Sequence, residues 1–211
     1  MSGSDKPRQT EHYFSEKPTC SLRPRSINAR LLGNMLTFMT GSGMFSPDKI
    51  DLGTKILIEN AIHEKGWHVL DLCCGYGAVG VALGRSDPSA VITLTDINER
   101  AVSFSKQNLR ANSVEGTVLC GDGFAKVPDL FDSILLNPPQ SAGRKLCESL
   151  IETSIKHLAP KGVIQVVARH QKGGRMLSEF MKTVFGNVET IARQSGYRVY
   201  VSRKGCNIKD R

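Results

Sequence analysis

Glycines and polar side chains that could bind a nucleotide-like ligand follow several predicted strands of this sequence. The first group is Asp71 with Gly75 and Gly77, in the stretch HVLDLCCGYGAVG from His68 to Gly80. Glycine at such a turn allows a positive φ and a close approach of a ligand to the backbone. The helix that follows offers free N–H groups at its N-terminus. We therefore predict that this stretch is the centre of a binding site.

Two ligand classes fit these glycines. Gly75, Gly77 and Gly80 match the G-x-G-x-x-G fingerprint, whose glycines approach the pyrophosphate of a dinucleotide. The stretch also matches the S-adenosylmethionine loop, D/E-x-G-x-G-x-G, with Cys73 in place of the first glycine. Asp71 favours this second interpretation, because a carboxylate ahead of the turn repels a pyrophosphate and suits a cofactor with an ammonium and a sulfonium group. The structural alternative is a turn that only packs a helix on a strand.

Two further predicted strand ends carry carboxylates that suit an adenosine. Asp96, in the segment TDIN with Ile97, can accept hydrogen bonds from two ribose hydroxyls, or it can cap the next helix. The ribose role is shared by dehydrogenases and methyltransferases and does not separate them. Asp122, in the segment GDGF with Gly123, can accept from the exocyclic amine of an adenine with Phe124 against the ring, or it can be part of a simple turn.

The motif Asn137-Pro138-Pro139-Gln140 follows another predicted strand. Two prolines stiffen the backbone, so the side-chain oxygen of Asn137 and the carbonyl of Pro138 are held as fixed acceptors. A planar amine bound to both presents its nitrogen lone pair to an electrophilic methyl group, and the prolines have no N–H to compete for it. We predict Asn137, Pro138 and Pro139 as the catalytic group; a stiff loop without a ligand is the alternative.

Strands and helices alternate between these motifs. Apolar runs predict strands at residues 69–72, 90–95, 116–120, 131–136 and 163–168, and helical spacing predicts helices at 54–64, 78–84, 98–111, 144–158 and 175–185. This alternation predicts an α/β fold with a doubly wound, mostly parallel sheet, whose ligands bind at the carboxyl ends of the strands. Residues 187–194 and 197–202 alternate around Ser195-Gly196 and add an antiparallel hairpin at one edge, which gives seven strands.

A short extension precedes the predicted sheet. Residues 1–12 are polar and predicted to be disordered. Residues 26–40 predict a β-hairpin with a two-residue type II′ turn at Gly33-Asn34. The hairpin and its nearby basic residues, Lys17, Arg23, Arg25 and Arg30, form either an arm that contacts phosphates or a solvated charged surface. The predicted organisation is a tail at 1–12, the extension at 13–53, the main domain at 54–204 and a second tail at 205–211.

Length, charge and cysteine usage narrow the function classes. The 211 residues are enough for one domain with a sizeable core. The net charge of +8 and the pI of about 9.3 favour a polyanionic partner such as RNA or DNA. No run of about 18 apolar residues predicts a membrane span, and the N-terminus lacks the apolar core of a signal peptide. The six cysteines include no C-x-x-C pair, so neither a metal site nor a disulfide framework is predicted, and reduced thiols favour the cytoplasm.

Together, the segments VLDLCCGYGAVG, TDIN, GDGF and NPPQ resemble class I methyltransferases that modify amino nitrogens. The stretch GMFSPDKIDLGTKILIE at 43–59 is similar to the small-domain family, which includes ribosomal RNA guanine-N2 methyltransferases and archaeal relatives. The resemblance implies a Rossmann-like fold and direct transfer of a methyl group from S-adenosylmethionine to an exocyclic amine. It assigns Asn137 and Pro138 to the amine, Asp96 to the ribose and Asp122 to the adenine. The segment 71–77 is assigned to the methionine part.

This sequence departs from the family pattern at Gln140, where many relatives have Phe or Tyr. In adenine and glutamine methyltransferases that aromatic ring packs on the target group, so base stacking is left to another residue, for which Phe45 is the candidate. Phe45 and Gln140 are therefore the predicted substrate-binding residues. A guanine inside a duplex hides its amine, so the RNA is expected to be single-stranded, looped or flipped out. Basic residues near strand ends are candidates for phosphate contacts: Arg144, Lys145, Arg169, Lys172 and Arg175.

Four functions remain open on this evidence. The first is an RNA guanine-N2 methyltransferase, and the second is a protein glutamine methyltransferase, which the basic pI and Gln140 disfavour. The third is an RNA-binding module that holds the cofactor without catalysis, which the intact Asn137-Pro138-Pro139 disfavours. The fourth is a dehydrogenase, which Asp71 disfavours.

Overall fold

The computed structural model describes residues 21–128 and 130–205 of the chain. The predicted disordered tail at 1–12, together with Lys17, Cys20 and Cys206, lies outside the described residues. Within the described part, nine strands and five α-helices follow one another. The strands are Pro24–Leu31 (β1), Asn34–Gly41 (β2), His68–Leu72 (β3), Val91–Asp96 (β4), Thr117–Cys120 (β5), Phe131–Leu136 (β6), Leu158–Arg169 (β7), Glu189–Gln194 (β8) and Tyr197–Arg203 (β9). The helices are Leu52–Glu59 (α1), Ala78–Ser86 (α2), Glu99–Ala111 (α3), Arg144–His157 (α4) and Arg175–Phe185 (α5).

Seven of these strands form one sheet in the order β5-β4-β3-β6-β7-β9-β8. The first five strands in that order run parallel, while β9 is antiparallel to β7 and β8 is antiparallel to β9. The predicted mostly parallel, seven-stranded sheet with a C-terminal hairpin is therefore confirmed. Parallel order brings the carboxyl ends of β3, β4 and β6 to one edge, which is where the predicted motifs lie.

Helices cover both faces of the sheet, which is why the central strands are continuous apolar runs. On one face, α1, α2 and α3 pack with the β1–β2 hairpin in a core that includes Phe38, Leu57 and Leu94. On the other face, α4 and α5 pack in a core that includes Ile151 and Met181. The edge that carries the motifs is therefore supported from both sides.

The N-terminal hairpin forms, but its predicted turn is wrong. The two turn residues are Leu32 and Gly33, with φ of 46° and 80°, and Leu31 pairs with Asn34 to close the turn. Two consecutive residues at positive φ indicate a type I′ turn rather than the predicted type II′ turn at Gly33-Asn34. Strand side chains alternate between faces, and this register buries Leu31 and Phe38 in the core. Burial therefore decides the register.

Side-chain amides of α3 hold the hairpin in place. Asn108 accepts from the Met39 N–H at 2.7 Å and donates to the Met39 carbonyl at 2.9 Å. Asn112 makes the same pair of bonds with Thr37, at 3.0 and 2.8 Å. These bonds satisfy the outer edge of β2, so the hairpin stays outside the main sheet while sharing its core.

The first helix is shorter than predicted. It ends at Glu59, whereas helical spacing predicted residues 54–64. The buried amide of Gln165 accepts from the Ile62 N–H at 2.8 Å and donates to the Ile62 carbonyl at 2.8 Å, which holds this segment in a non-helical path. None of the described helices is long and apolar enough to cross a membrane.

Candidate active site

A cleft opens at the carboxyl edge of the sheet, beyond the ends of β3, β4 and β6. It encloses about 1060 Å³ of empty space, counting its open mouth. The cleft brings together residues from all four predicted motifs. The predicted site residues that line it are Phe45, Asp71, Cys73, Gly75, Asp96, Ile97, Asp122, Gly123, Asn137, Pro138 and Pro139. Gly77, Phe124 and Gln140 are not among the lining residues of the described chain.

The glycine loop is shaped by positive φ angles and by Asp71. Gly75 and Gly77 have φ of 56° and 84°, and Cys73 adopts 58° although it is not glycine. A Cβ at Gly75 would meet no protein atom within 4 Å, so it would project into open space beside the cleft. A Cβ at Gly77 would lie 2.9 Å from Leu94. Gly75 therefore leaves room for a ligand, whereas Gly77 allows close packing.

Asp71 ties the end of β3 to the following helix. Its Oδ2 accepts the Gly80 N–H at 2.9 Å. Burial raises the pKa of the Asp71 carboxyl to about 7, and this hydrogen bond offsets only part of the effect. A buried carboxyl of this kind ionises more readily when a cation is bound nearby.

Asp96 braces the same loop from the end of β4. Its Oδ2 accepts the Gly75 N–H at 2.8 Å and its Oδ1 accepts the Asn98 N–H at 2.8 Å. Each carboxylate oxygen keeps a further lone pair for a ligand hydroxyl. Burial raises the pKa of Asp96 to about 6. Asn98, and not Asp96, caps α3, because its side chain accepts from the Arg100 N–H at 2.9 Å.

The segment after β5 divides between the cleft and the core. Asp122 and Gly123 line the cleft. Phe124 instead lies in the core beneath α4, where its ring stacks on His157 with centroids 4.5 Å apart. Gly123 turns the chain at a φ of 52°, which directs the next side chain into this core. The structure therefore does not bring Phe124 to the predicted adenine position.

Asn137 is held by two side chains of the segment that begins α1. Its Nδ2 donates to Thr54 Oγ1 at 2.9 Å and to Asp51 Oδ2 at 3.3 Å. A carboxylate is only an acceptor, so Asp51 fixes which end of the amide is the NH2 group. No described residue bonds to Oδ1 of Asn137, which leaves this oxygen as an acceptor at the wall of the cleft.

The two prolines hold the backbone beside Asn137. Pro138 and Pro139 are buried. The Pro138 carbonyl accepts the Gln140 N–H at 2.8 Å, and the Pro139 carbonyl accepts the Ala142 N–H at 2.8 Å. The second of these bonds, together with that from the Gly143 N–H to the Gln140 carbonyl at 3.2 Å, forms a short 3-10 helix at Gln140–Ala142. The Pro138 carbonyl is thus fixed in direction and keeps a second lone pair for a ligand.

Sequence reasoning missed Asp51 and Thr54 as site residues. Asp51 is the N-cap of α1, and its Oδ2 accepts the Thr54 N–H at 3.0 Å. An acidic residue just before a helix is a recognisable start signal, so the N-cap role of Asp51 could have been predicted from the sequence. Its second use, as an acceptor for Asn137, depends on a contact across 86 residues of chain.

The aromatic residues near the site differ in their surroundings. Phe45 is half-buried and lines the cleft. Tyr76, which sequence reasoning did not single out, also lines it; its hydroxyl donates to the Lys49 carbonyl at 3.4 Å, and burial raises the pKa of this phenol. Gln140 has a buried Nε2 with no hydrogen-bond partner among the described residues.

The sequence profile of the Methyltransferase small domain family matches residues 35–201. The chain belongs to this family. It is therefore a methyltransferase enzyme, and the predicted family is confirmed. The match includes β2 of the hairpin and nearly the whole sheet.

Several curated relatives resemble the chain. Uncharacterized protein YbxB of Bacillus subtilis is 32% identical over 92% of this chain and 99% of its own length. The Ribosomal RNA small subunit methyltransferase C of Pseudomonas entomophila is 34% identical over 92% of this chain and 59% of its own length. The enzyme of that name from Escherichia coli O7:K1 is 35% identical over 78% of this chain and 48% of its own length. This chain thus spans about half the length of the ribosomal RNA methyltransferases that it matches.

Solved structures share the fold. The 16S rRNA N2 methyltransferase RsmC of T. thermophilus, solved with AdoMet and guanosine, superposes with a TM-score of 0.75 and 26% identity over 89% of this chain and 52% of that one. A methyltransferase from Pyrococcus furiosus superposes with a TM-score of 0.65 over 78% of this chain and 91% of that one, at 18% identity. The second likeness concerns the fold alone.

Proposed function

We propose that this protein transfers a methyl group from S-adenosylmethionine to the exocyclic N2 amine of a guanine in ribosomal RNA. The observation that carries the proposal is the fixed amide of Asn137, whose Oδ1 has no hydrogen-bond partner among the described residues and lies in the same cleft as the glycine loop. The names of the ribosomal RNA relatives and the guanosine in the similar RsmC structure support guanine as the target.

The residues of the cleft fit the proposed cofactor. Gly75 leaves open space where a side chain would stand. Asp71 is a buried carboxyl and Asp96 a half-buried one, and both have raised pKa values, so a bound cation favours their ionised forms. The free lone pairs of Asp96 suit ribose hydroxyls. When bound, S-adenosylmethionine supplies an electrophilic methyl group on a positively charged sulfur.

Asn137 and Pro138 then position the substrate amine. The Asn137 Oδ1 and the Pro138 carbonyl accept its two N–H groups, and this arrangement directs the nitrogen lone pair toward the methyl group. The nitrogen forms the new N–C bond as the C–S bond breaks in line. The methylated nitrogen is positively charged and releases its proton readily to water, so a strong general base is not needed. The enzyme contributes orientation and a fixed electrostatic environment.

The charge of the chain and the shape of guanine support an RNA substrate. A net charge of +8 favours a polyanion over most proteins. Guanine N2 lies in the minor groove of a duplex, so the nucleotide must be unpaired or flipped out to enter the cleft. Phe45, at the wall of the cleft, is the proposed stacking residue for the base. A ribosomal RNA substrate agrees with a cytoplasmic location.

Tritiated methyl transfer to total RNA and to total protein tests the proposal. We expect label in RNA with the wild-type protein, and none with Asn137→Ala, which should still bind S-adenosylmethionine in a calorimeter. Label in protein alone would instead support the glutamine alternative. Cofactor binding without transfer to either pool would favour the non-catalytic module.

A further inference from the structure

Four arginines, which we call the arginine surface, lie where β7 ends and along the terminal hairpin. Arg169 is the last residue of β7, Arg175 begins α5, and Arg193 and Arg198 face each other across β8 and β9. Three of them are exposed, and Arg198 is half-buried. They come from four elements, β7, α5, β8 and β9, at one end of the sheet. The register puts Arg193 and Arg198 on the face that α5 covers, and Arg169, which pairs with Tyr197, on the other face.

The arginine surface concentrates positive charge without enough acid to balance it. Residues directly opposite each other on antiparallel strands have close Cβ atoms, and like charges at such positions are destabilising. Arg175 forms an ion pair with Glu179 at 3.0 Å. For Arg169, Arg193 and Arg198, the structure shows no ion pair with any described carboxylate. These three guanidinium groups are therefore available to an external anion.

The positive charges of the arginine surface also act on His170. Its main chain and ring are fixed by bonds to the Gly196 carbonyl at 2.9 Å and to the Tyr200 hydroxyl at 2.8 Å. Burial first, and then the charges of Arg198, Arg175 and Arg193, lower the pKa of this imidazole. Three guanidinium groups of the arginine surface therefore act on the His170 ring.

The arginine surface adjoins the cleft. The Arg169 guanidinium lies 4.8 Å from the centroid of the Tyr197 ring. That ring packs against Gly53, between the Asp51 and Thr54 side chains that hold Asn137; a Cβ on Gly53 would lie 2.8 Å from Tyr197 Cε1. A nucleic acid with one base in the cleft can therefore reach Arg169 with a neighbouring phosphate. Arg198 pairs with Ala168, the residue before Arg169, so the Arg193–Arg198 pair lies at the same end of the sheet for the next phosphates.

We propose that the arginine surface binds the phosphate backbone of the RNA substrate beside the target nucleotide. Guanidinium groups match phosphate oxygens with two parallel hydrogen bonds and stay charged at all relevant pH values. A phosphate between Arg193 and Arg198 would relieve their repulsion. The identity of the polyanion as RNA depends on the proposed function, whereas the anion site itself depends on the geometry above.

Fluorescence polarisation with a 5′-fluorescein single-stranded RNA 20-mer tests this surface at several salt concentrations. The test variant is Arg193→Ala with Arg198→Ala. The matched control is Arg85→Ala with Arg110→Ala, two exposed arginines in the last turns of α2 and α3, which end at the opposite edge of the sheet. Each lost phosphate contact on a single strand reduces the slope of log K against log salt by about 0.7.

The test variant should lose about 1.4 from this slope and roughly 25-fold in affinity at 0.1 M salt, which follows from two such contacts. The control should match the wild type. In the transfer assay the KM for RNA should rise while kcat and the affinity for S-adenosylmethionine stay the same. Because the two arginines repel each other, the melting temperature of the test variant should be unchanged or higher, which a structural role would not give.

An unchanged slope and affinity in the test variant would overturn the proposal, as would equal losses in the control. Competition by a poly-glutamate 20-mer as strong as that by unlabelled RNA would also overturn it, because the surface would then not prefer RNA. These outcomes are separate from the methyl-transfer result. A wild-type protein that binds RNA through this surface but transfers no methyl group would contradict the proposed function and still support phosphate binding by the arginine surface.

Discussion

Replacement of Thr54 by valine removes one of the two acceptors that hold the Asn137 amide. Valine keeps the shape of threonine but lacks the oxygen that accepts from Asn137 Nδ2 at 2.9 Å. The bond to Asp51 at 3.3 Å remains, so the amide is weakened in its orientation rather than released. A hydrogen bond of this kind contributes about 1 kcal/mol, in a range of about 0.5 to 1.5. If that energy serves to orient Oδ1, Thr54→Val should lower kcat about fivefold.

Steady-state transfer to RNA, with the cofactor saturating, measures this effect. Thr54→Ser is the matched control, because it keeps the hydroxyl and should retain most of the wild-type kcat. Calorimetry should give the same affinity for S-adenosylmethionine in all three proteins. A wild-type kcat in Thr54→Val, or an equal loss in Thr54→Ser, would show that the Thr54 oxygen does not position Asn137 for transfer.

Three further predictions concern the glycine loop, pH and the hairpin. Gly75→Ala should lower cofactor affinity by tenfold or more, because its Cβ projects into open space beside the cleft at a φ of 56°; unchanged calorimetric binding would refute this. Since burial raises the pKa of Asp96 to about 6 and of Asp71 to about 7, the folded protein without cofactor should lose stability as the pH rises from 4 to 7. Cofactor affinity should rise from pH 5 to 8, because the cofactor binds the ionised carboxylates; ionisation of Asp96 alone accounts for about tenfold. Calorimetric affinity that does not change with pH would contradict the ionisation of Asp71 and Asp96 on cofactor binding. Asn108→Ala should lower the free energy of unfolding in urea by about 3 kcal/mol, since it removes two hydrogen bonds to Met39 and one to the Tyr76 carbonyl in the glycine loop. A loss below about 1 kcal/mol would show that Asn108 does not hold the hairpin in place.

The sheet could be predicted because its signals are local. Strand β6 and helix α5 have the predicted bounds, since apolar runs and helical spacing end there at turn residues. Strand β7 begins at Leu158 rather than at the predicted residue 163, because pairing of Leu158 with Phe131 extends it through a proline. Local pattern thus defines the element, while the neighbouring strand sets its ends.

Features that depend on distant contacts were not open to sequence reasoning. The end of α1 is set by Gln165, which lies 103 residues away from Ile62. The hold on Asn137 by Thr54 spans 83 residues. Phe124 follows a motif that suits adenine, yet the turn at Gly123 sends it into the core against His157. In each case the side chain and its type were visible in the sequence, but its partner was not.

Identification of the methylated nucleoside tests the central claim most directly. Small ribosomal subunits and their deproteinised RNA, taken from cells that lack endogenous guanine-N2 methyltransferases, would be incubated with the protein and S-adenosylmethionine carrying a deuterated methyl group. Nuclease digestion and mass spectrometry then identify the labelled product. The account predicts deuterated N2-methylguanosine, absent with Asn137→Ala. Label found only in another nucleoside, such as N6-methyladenosine, or only in ribosomal protein would contradict it.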